Sequence, residues 1–458
     1  MLFVCKELTL DIFLVSNILT QLINICLLLL VVLLPASSLS LYFNIHPAVI
    51  IIFLLFLLVI IRDHKAIFSG VFWKENKKIA PLIFLFSLLF LQSLLSLIFA
   101  PQMPPSAYDF GVGGFESPNL IRYYGIFTLL KSLLLGGLMA VIIKKDDFLK
   151  IINLHILTSV IFSLFGIINF LTYCVLQVSS FDFGIMGGRV KSISVEPQAF
   201  ASYLLTVIPF LIFGLCAKKT MFFKKGLLWT FLIIDLFAFI LTFSTGGLIA
   251  FLAIIVCFYL LLTVKNFRQY ISFKNIKIFT VFLLLLFALA LTIGKEEMTL
   301  MLQKFGTKES PSFSGRWDSW QAGIEMIKSR PLFGVGPESY GYFFKEYSDA
   351  PVPQPTIGGP GAPAVILPLP QNLLIGTAAN IGILGAVFFL LIFLYPVIKL
   401  WQQIKSKEHT NNSVPIIAVS LLLVLVGLLV QNLAFWTPYA FFLWFFIGLA
   451  GAFINSYS

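Results

Sequence analysis

The sequence predicts an all-α integral membrane protein with about twelve transmembrane helices and one long hydrophilic loop between helices nine and ten. Three observations carry this reading. Of 458 residues, 59% are hydrophobic and only 11% charged, and the mean hydropathy is +0.99, whereas soluble globular chains are roughly 45–50% apolar. The apolar residues gather into runs close to the ~20 residues that a helix needs to cross a bilayer. The lysines and arginines fall between those runs on alternate sides, as the orientation rule for polytopic proteins requires. A net charge of +11 would point to nucleic acid in a soluble chain. Here it sits in short loops between apolar runs, so the expected surroundings are membrane lipids and not nucleic acid.

Taken in order, the runs occupy about 14–36, 46–62, 79–100, 123–143, 150–175, 198–217, 226–244, 246–264, 277–294, 371–398, 414–433 and 435–455. With a cytoplasmic N-terminus, the inside loops hold Arg62, Lys65, Lys74, Lys77 and Lys78, then Lys144, Lys145 and Lys150. Further along they hold Lys218, Lys219, Lys224 and Lys225, then Lys265, Arg268, Lys274 and Lys277, and finally Lys399, Lys405 and Lys407. The short outside loops hold only Arg122, Arg189 and Lys191. Both termini are therefore expected inside, and the long loop outside. The expected units are residues 1–294 with the first nine helices, an extracytoplasmic loop at 295–370, and 371–458 with the last three. Lys6 is followed by a long apolar stretch and many further spans, which is not the pattern of a signal peptide. The five cysteines show neither metal-ligand spacing nor a disulfide framework.

The polar departures from this pattern are few. Residues 101–121 form a Pro/Gly-rich outer loop with Asp109 and Glu116. Lys131 lies inside the fourth run, where a cation must face a cavity, find a partner or extend its stem to the outer interface. The loop after the fifth run carries Arg189, Lys191 and Glu196 and enters the sixth run through Pro197, so Arg189 is expected against the outer membrane face. Ser244-Thr245-Gly246-Gly247 leaves room only for a tight outward turn. Seven prolines between Pro351 and Pro370 exclude helix and central strand there, and predict an extended strap.

The most informative stretch is 312–343, which is polar and patterned in a chain that is otherwise mostly hydrocarbon. Ser314 is placed to cap a helix over 314–329, in which Trp317, Trp320, Ile324 and Ile327 recur at helical spacing until Pro331 ends it. The apolar stripe is expected to pack on the spans. Arg316 falls in the first turn, where the helix dipole disfavours a cation, so its placement asks for an anionic ligand. Gly334 and Gly336 then allow tight turns before Pro337.

The run Ser-Gly-Arg-Trp-x-x-Trp, followed by Ile-x-x-x-x-Pro-Leu-Phe-Gly-Val-Gly-Pro-Glu, resembles the hallmark of the O-antigen ligase and Wzy-type polysaccharide polymerase family. The resemblance implies a GT-C-like membrane glycosyltransferase that takes glycan from a polyprenyl-diphosphate carrier, without metal or other cofactor, and passes it to a glycan or lipid-linked acceptor. Arg189 followed by a serine and Glu196-Pro197 is similar to the polymerase branch. Gly382-Ile-Leu-Gly385 matches the family's Gly-x-x-Gly, but Gln371 stands before Asn372 where the family usually has histidine.

Two arginines on different outer loops, Arg189 and Arg316, suit a diphosphate, because guanidinium forks grip phosphate oxygens bidentately and keep their charge. Their charge would also stabilise the departing diphosphate. Gln371 can orient a hydroxyl but cannot take its proton at neutral pH. Glu196, and after it Glu338, are the outward carboxylates placed for that task. Lys191, Trp320 and Lys131 complete the candidate set. His46 lies at the outer end of the second run, whereas His64, His155 and His409 are on the inner side. No P-loop and no dinucleotide fingerprint is present, which favours a lipid-linked donor over a nucleotide-linked one. The expected activity is a repeat-unit polymerase. A ligase acting on lipid A core is the alternative with the same donor, and a flippase or transporter is the alternative from another class.

Overall fold

A computed structural model describes residues 2–36, 46–104, 119–176, 185–186, 188–194, 196–218, 221–282, 311–349, 368–405, 413–435 and 438–457. Of the twelve expected runs, the one at 277–294 lies outside the described residues beyond 282, as does nearly all of the proline-rich strap. The remaining runs are helical. They form α1 (Leu2–Leu33), α2 (Pro47–Phe68), α3 (Ala80–Phe99), α4 (Leu120–Ile142) and α5 (Phe148–Leu176). After a two-residue antiparallel hairpin, β1 (Ile185–Met186) and β2 (Arg189–Val190), come α6 (Pro197–Leu205), α7 (Ile208–Cys216), α8 (Lys225–Leu241) and α9 (Thr245–Leu261). The chain resumes with α10 (Pro311–Ser329) and α11 (Tyr340–Tyr347) and closes with α12 (Leu373–Lys405), α13 (Ser413–Asn432) and α14 (Phe441–Tyr457). Among the described residues, seven helical stretches are long and apolar enough to cross a membrane. The chain is a multi-pass membrane protein.

Burial sorts these helices into centre and periphery. The most apolar window of Pro197–Cys216 is buried throughout and 83% of the residues in that of Val414–Asn432 are buried, whereas in Pro47–Ile67 and Ala80–Phe99 only 33% are, and the rest of their apolar surface turns outward, as in a lipid-facing helix. In α14, Trp444 sits edge-on between Phe86 of α3 and Phe389 of α12. Its indole donates to the Pro438 carbonyl at 2.6 Å, so the large ring is buried without stranding its N–H.

Two expected spans are not single straight helices. The sixth breaks between α6 and α7. Pro209 stands in the first turn of α7, where the missing N–H costs no hydrogen bond, and the Thr206 hydroxyl donates to the Tyr203 carbonyl at 2.6 Å.

The tenth begins at Leu373 and runs to Lys405, but has non-helical geometry at Gly382 (φ 87°). That break frees carbonyls inside the helix, and the Pro331–Glu338 loop fills it. Val335 N–H donates to Ala379 O and Gly336 N–H to Asn380 O, each at 2.9 Å, while Ile383 N–H donates to Pro331 O at 2.9 Å. From α3, the Gln92 amide donates to Leu332 O at 2.8 Å and Ile381 O at 2.7 Å, and the Ser96 hydroxyl lies 2.6 Å from Phe333 O. Irregular backbone at this depth persists only when its polar groups are satisfied in this way. A Cβ on Gly382 would lie 2.0 Å from Leu332 O, and one on Gly334 2.4 Å from Ala379 O. The glycines of the signature stretch therefore join loop to helix.

Candidate functional site

Arg189 is delivered by the β1–β2 hairpin, with Gly188 at positive φ (71°) in its turn. Its Nε donates to Thr242 O at 2.8 Å and its Nη2 to Phe243 O at 3.2 Å. These carbonyls follow the last residues of α8, the end of a helix that attracts cations and lacks intrahelical donors. A guanidinium has five N–H groups, so among the described residues three are left for a ligand. The expected tight turn is present at this point. Phe243 has positive φ (45°), and Ser244 caps α9 by accepting the Gly247 N–H at 3.1 Å.

Glu196 is the residue before Pro197 of α6, but its carboxylate makes no capping bond. Burial raises its pKa above the usual carboxylate value, and the charge of Arg189 works against that rise. For Arg189, burial lowers the pKa, Glu196 raises it and Arg316 lowers it again. Arg316 therefore acts on Arg189 although the two come from distant segments. Burial likewise lowers the pKa of Arg316. Among the described residues, none of the three ion pairs involves Arg189, Glu196 or Arg316. Lys191 shares the loop, and its carbonyl accepts the Ser194 N–H at 3.0 Å.

Arg316 rides on α10, whose geometry differs from expectation in two ways. The helix starts at Pro311, not after Ser314, because proline fixes the φ of a first helical turn, so Ser314-Gly315 lies within the helix and is not a hinge. The packed face coincides only in part with the expected stripe: Trp320 and Ile327 are half-buried, and the fully buried positions are others. Ser319, Ala322, Gly323 and Met326 are buried, while Trp317 and Ile324 are 49% and 41% exposed. Small residues let α10 approach α12 closely: a Cβ on Gly323 would fall 2.5 Å from the Ile375 side chain. The Tyr340 hydroxyl donates to Ser319 O, and the Tyr340 N–H donates to Asn380 Oδ1 at 2.9 Å, which fixes α10 and α11 to the broken helix.

Trp320 donates its indole N–H to the carbonyl of Gln371 at 3.3 Å. Gln371 has positive φ (49°) and precedes Asn372, whose Oδ1 caps α12 by accepting from Leu374 and Ile375 N–H at 3.0 Å. Gln371 is thus tied, through its backbone, to the helix that carries Arg316.

Glu338 belongs to a second cluster. Its φ is 53°, an uncommon conformation for a side-chain-bearing residue, and it is held by packing on Gly125 of α4, where a Cβ would meet Glu338 Cγ at 3.1 Å. Its Oε1 is buried without a hydrogen-bond partner, and its carboxylate is hydrogen-bonded by the side chain of Tyr439, which also bonds Thr128. Burial pushes the Glu338 carboxyl up to about 7, with the Tyr439 hydrogen bond opposing. Neighbouring Ser339 is held by Arg122, whose Nε donates to its hydroxyl at 3.0 Å and whose Nη2 donates to Pro101 O at 2.7 Å and Val335 O at 3.0 Å. Arg122 is 7% exposed, so this residue counted among outer-loop cations is a buried tie between three segments.

Lys131 faces inward, with its ammonium 5.4 Å from the centre of the Phe441 ring. His46, 4.7 Å from the same ring, caps α2. Its Nδ1 accepts the Ala48 N–H at 3.0 Å and its Nε2 bonds Ala36 O, so both nitrogens are occupied and it is no general base.

Arg189 thus feels both Glu196 and Arg316, Trp320 is joined to Gln371, and Glu338 is set with Tyr439. Tyr439 and the carbonyls of Thr242 and Phe243 were not legible as partners, because a hydroxyl or carbonyl on a loop carries no pattern of its own. No curated protein matches this chain. Residues 230–390 match the family model described as O-antigen ligase, a segment that holds the arginine-bearing helix, the Pro331–Glu338 loop and the broken helix on which it docks. That match supports the O-antigen ligase and Wzy-type family for this segment of the chain.

Proposed function

We propose that this protein transfers glycan from a polyprenyl-diphosphate carrier to an acceptor hydroxyl at the extracytoplasmic face of the cytoplasmic membrane, as a repeat-unit polymerase. The observation that carries this reading is that Arg189 feels both the charge of Arg316 and that of Glu196, the adjoining carboxylate. The three N–H groups that Arg189 has left among the described residues and the guanidinium of Arg316 form a clamp for a diphosphate, whose charge grows as the glycosidic bond breaks. Glu196 accepts the proton of the attacking hydroxyl: burial has raised its basicity toward the useful range, and no helix cap occupies it. Gln371 orients that hydroxyl. Glu338 is the second carboxylate of the outer face and supports the loop from beneath. Lys191, Trp320 and Lys131 line the approach. In this reading the segment 295–370 is extracytoplasmic, between the helices of 1–294 and those of 371–458.

The test is glycan-ladder electrophoresis of a deletion strain complemented with Arg189→Lys, Arg316→Lys or the wild type. Loss of long chains with a single repeat still attached supports the polymerase. Loss of all attached glycan shifts the reading to ligase. Normal ladders from both lysine variants at equal protein level remove the clamp.

A further inference from the structure

Asp235 is a lone carboxylate within α8, about two turns below the carbonyls that hold Arg189. It is 0% exposed. On α5, the hydroxyls of Ser159 and Ser163 each lie 2.7 Å from one of its oxygens, Oδ2 and Oδ1 respectively. Ser159 also lies 2.8 Å from the carbonyl of Ile156. A hydroxyl has one hydrogen, and a carbonyl can only accept. If Ser159 donates to Ile156, the contact with Oδ2 requires a hydrogen on Asp235. Ser163 then donates to the carbonyl oxygen Oδ1, and each hydrogen in the chain Ser163–Asp235–Ser159–Ile156 has one acceptor. Among the described residues an ionised carboxylate here would have no cation beside it, at a cost of several kcal/mol in the interior of a membrane protein.

The same counting applies one turn away. Thr206 donates its single hydrogen to Tyr203 O at 2.6 Å, so at 2.9 Å its oxygen accepts from His155 Nε2–H. The imidazole is then the Nε2–H tautomer, and Nδ1 is left as a bare acceptor. That atom and the Tyr203 hydroxyl are both buried with no hydrogen-bond partner among the described residues. The two rings stand edge to face, 5.3 Å apart, and Tyr203 feels Asp235 electrostatically. An orphan donor and an orphan acceptor flanking an acid are the partners that an internal water requires.

We infer that α5, α6 and α8 enclose an intramembrane proton site: Asp235 held as a neutral carboxylic acid, with a water bound between the Tyr203 hydroxyl and His155 Nδ1. The site is closed toward the outer face. A Cβ on Gly166 of α5 would lie 2.6 Å from Val190 Cγ1, so the buried Val190 side chain packs directly on α5 between Ser163 and the Arg189 loop. The site therefore stores a proton and is not an open wire to the diphosphate clamp. It stands whether or not the glycan-transfer reading does.

Infrared difference spectroscopy of the detergent-purified protein in H2O and D2O tests it. A carboxylic-acid C=O band present in the wild type at neutral pH and missing from folded Asp235→Asn is expected, since the amide reproduces the acid's donor and acceptor. Identical carboxylic-acid regions in the two proteins would overturn the protonated state. Ser159→Ala gives an independent reading if the asparagine variant does not fold: removing the acceptor of the acid's hydrogen shifts the band, whereas an ionised Asp235 leaves that region unchanged. Tyr203→Phe is expected to shift the same band by withdrawing the water's partner. An unmoved band means a dry pocket and removes the water from the proposal.

Discussion

Arg189 Nε donates to the Thr242 carbonyl at 2.8 Å, which places the cation of the β1–β2 hairpin on the end of α8. The bond does two things at once. It satisfies a helix-end carbonyl, and it fixes the guanidinium so that its remaining N–H groups project as a rigid fork.

Arg189→Lys is accordingly predicted to affect both stability and transfer. An ammonium cannot bond both carbonyls in the same plane, so about 1–3 kcal/mol of stability is lost, as for hydrogen bonds to charged groups. Arg316→Lys, with no described hydrogen bond to lose, is predicted to leave the melting temperature near wild type while abolishing long glycan. Equal melting losses in the two variants would contradict this division of roles.

Glu196→Gln is predicted to remove the acid limb of the transfer–pH profile. The buried carboxyl titrates above the usual value, so wild-type activity rises as pH climbs through that raised pKa and the base form appears. The glutamine variant retains residual transfer without that rise. An unchanged pH profile would assign the proton to another group.

Glu338 yields a prediction on stability. Its folded-state pKa is raised to about 7, so the protonated form is the one the fold favours. Stability from this group is fully present below the unfolded-state pKa and is lost as pH rises through about 7. The wild type should therefore melt at a lower temperature at pH 8 than at pH 5, and Glu338→Gln should show a smaller difference. A pH dependence of equal size in both proteins would place the titration elsewhere.

The joint between the signature loop and α12 can be probed with two glycines. At Gly382, φ is 87° and a Cβ would lie 2.0 Å from Leu332 O, so Gly382→Ala is predicted to prevent folding or abolish membrane accumulation. At Gly188, φ is 71° but nothing lies within 4 Å of the added atom. Gly188→Ala should cost only the backbone strain, about 1–2 kcal/mol. Comparable accumulation of the two variants would mean that the loop does not need its seat in the helix break.

Orientation is testable with substituted cysteines at positions 308 and 407, both outside the described residues. In intact cells an impermeant reagent should label the first and not the second. The reverse pattern inverts the topology.

Hydropathy and the distribution of Lys and Arg were enough to establish a multi-pass helical protein and most of its helix positions, because bilayer thickness and charge asymmetry act on each segment independently. The signature around Arg316 was also legible, since polar, glycine-punctuated sequence stands out against hydrocarbon. Tertiary structure decided the rest. The burial of Ser319, Ala322 and Met326 in place of Trp317 and Ile324 depends on how closely α10 approaches α12, and no single-helix pattern contains that distance. The break at Gly382 is stable only because loop amides and the Gln92 and Ser96 side chains arrive from elsewhere to satisfy its carbonyls. The tie from Arg189 to Thr242, the Glu338–Tyr439 pair and the protonation of Asp235 are likewise counts of donors against acceptors across distant segments. Such a count can be closed only when the partners are seen side by side, since a buried polar group is stabilised by its neighbours in space and not by those in sequence.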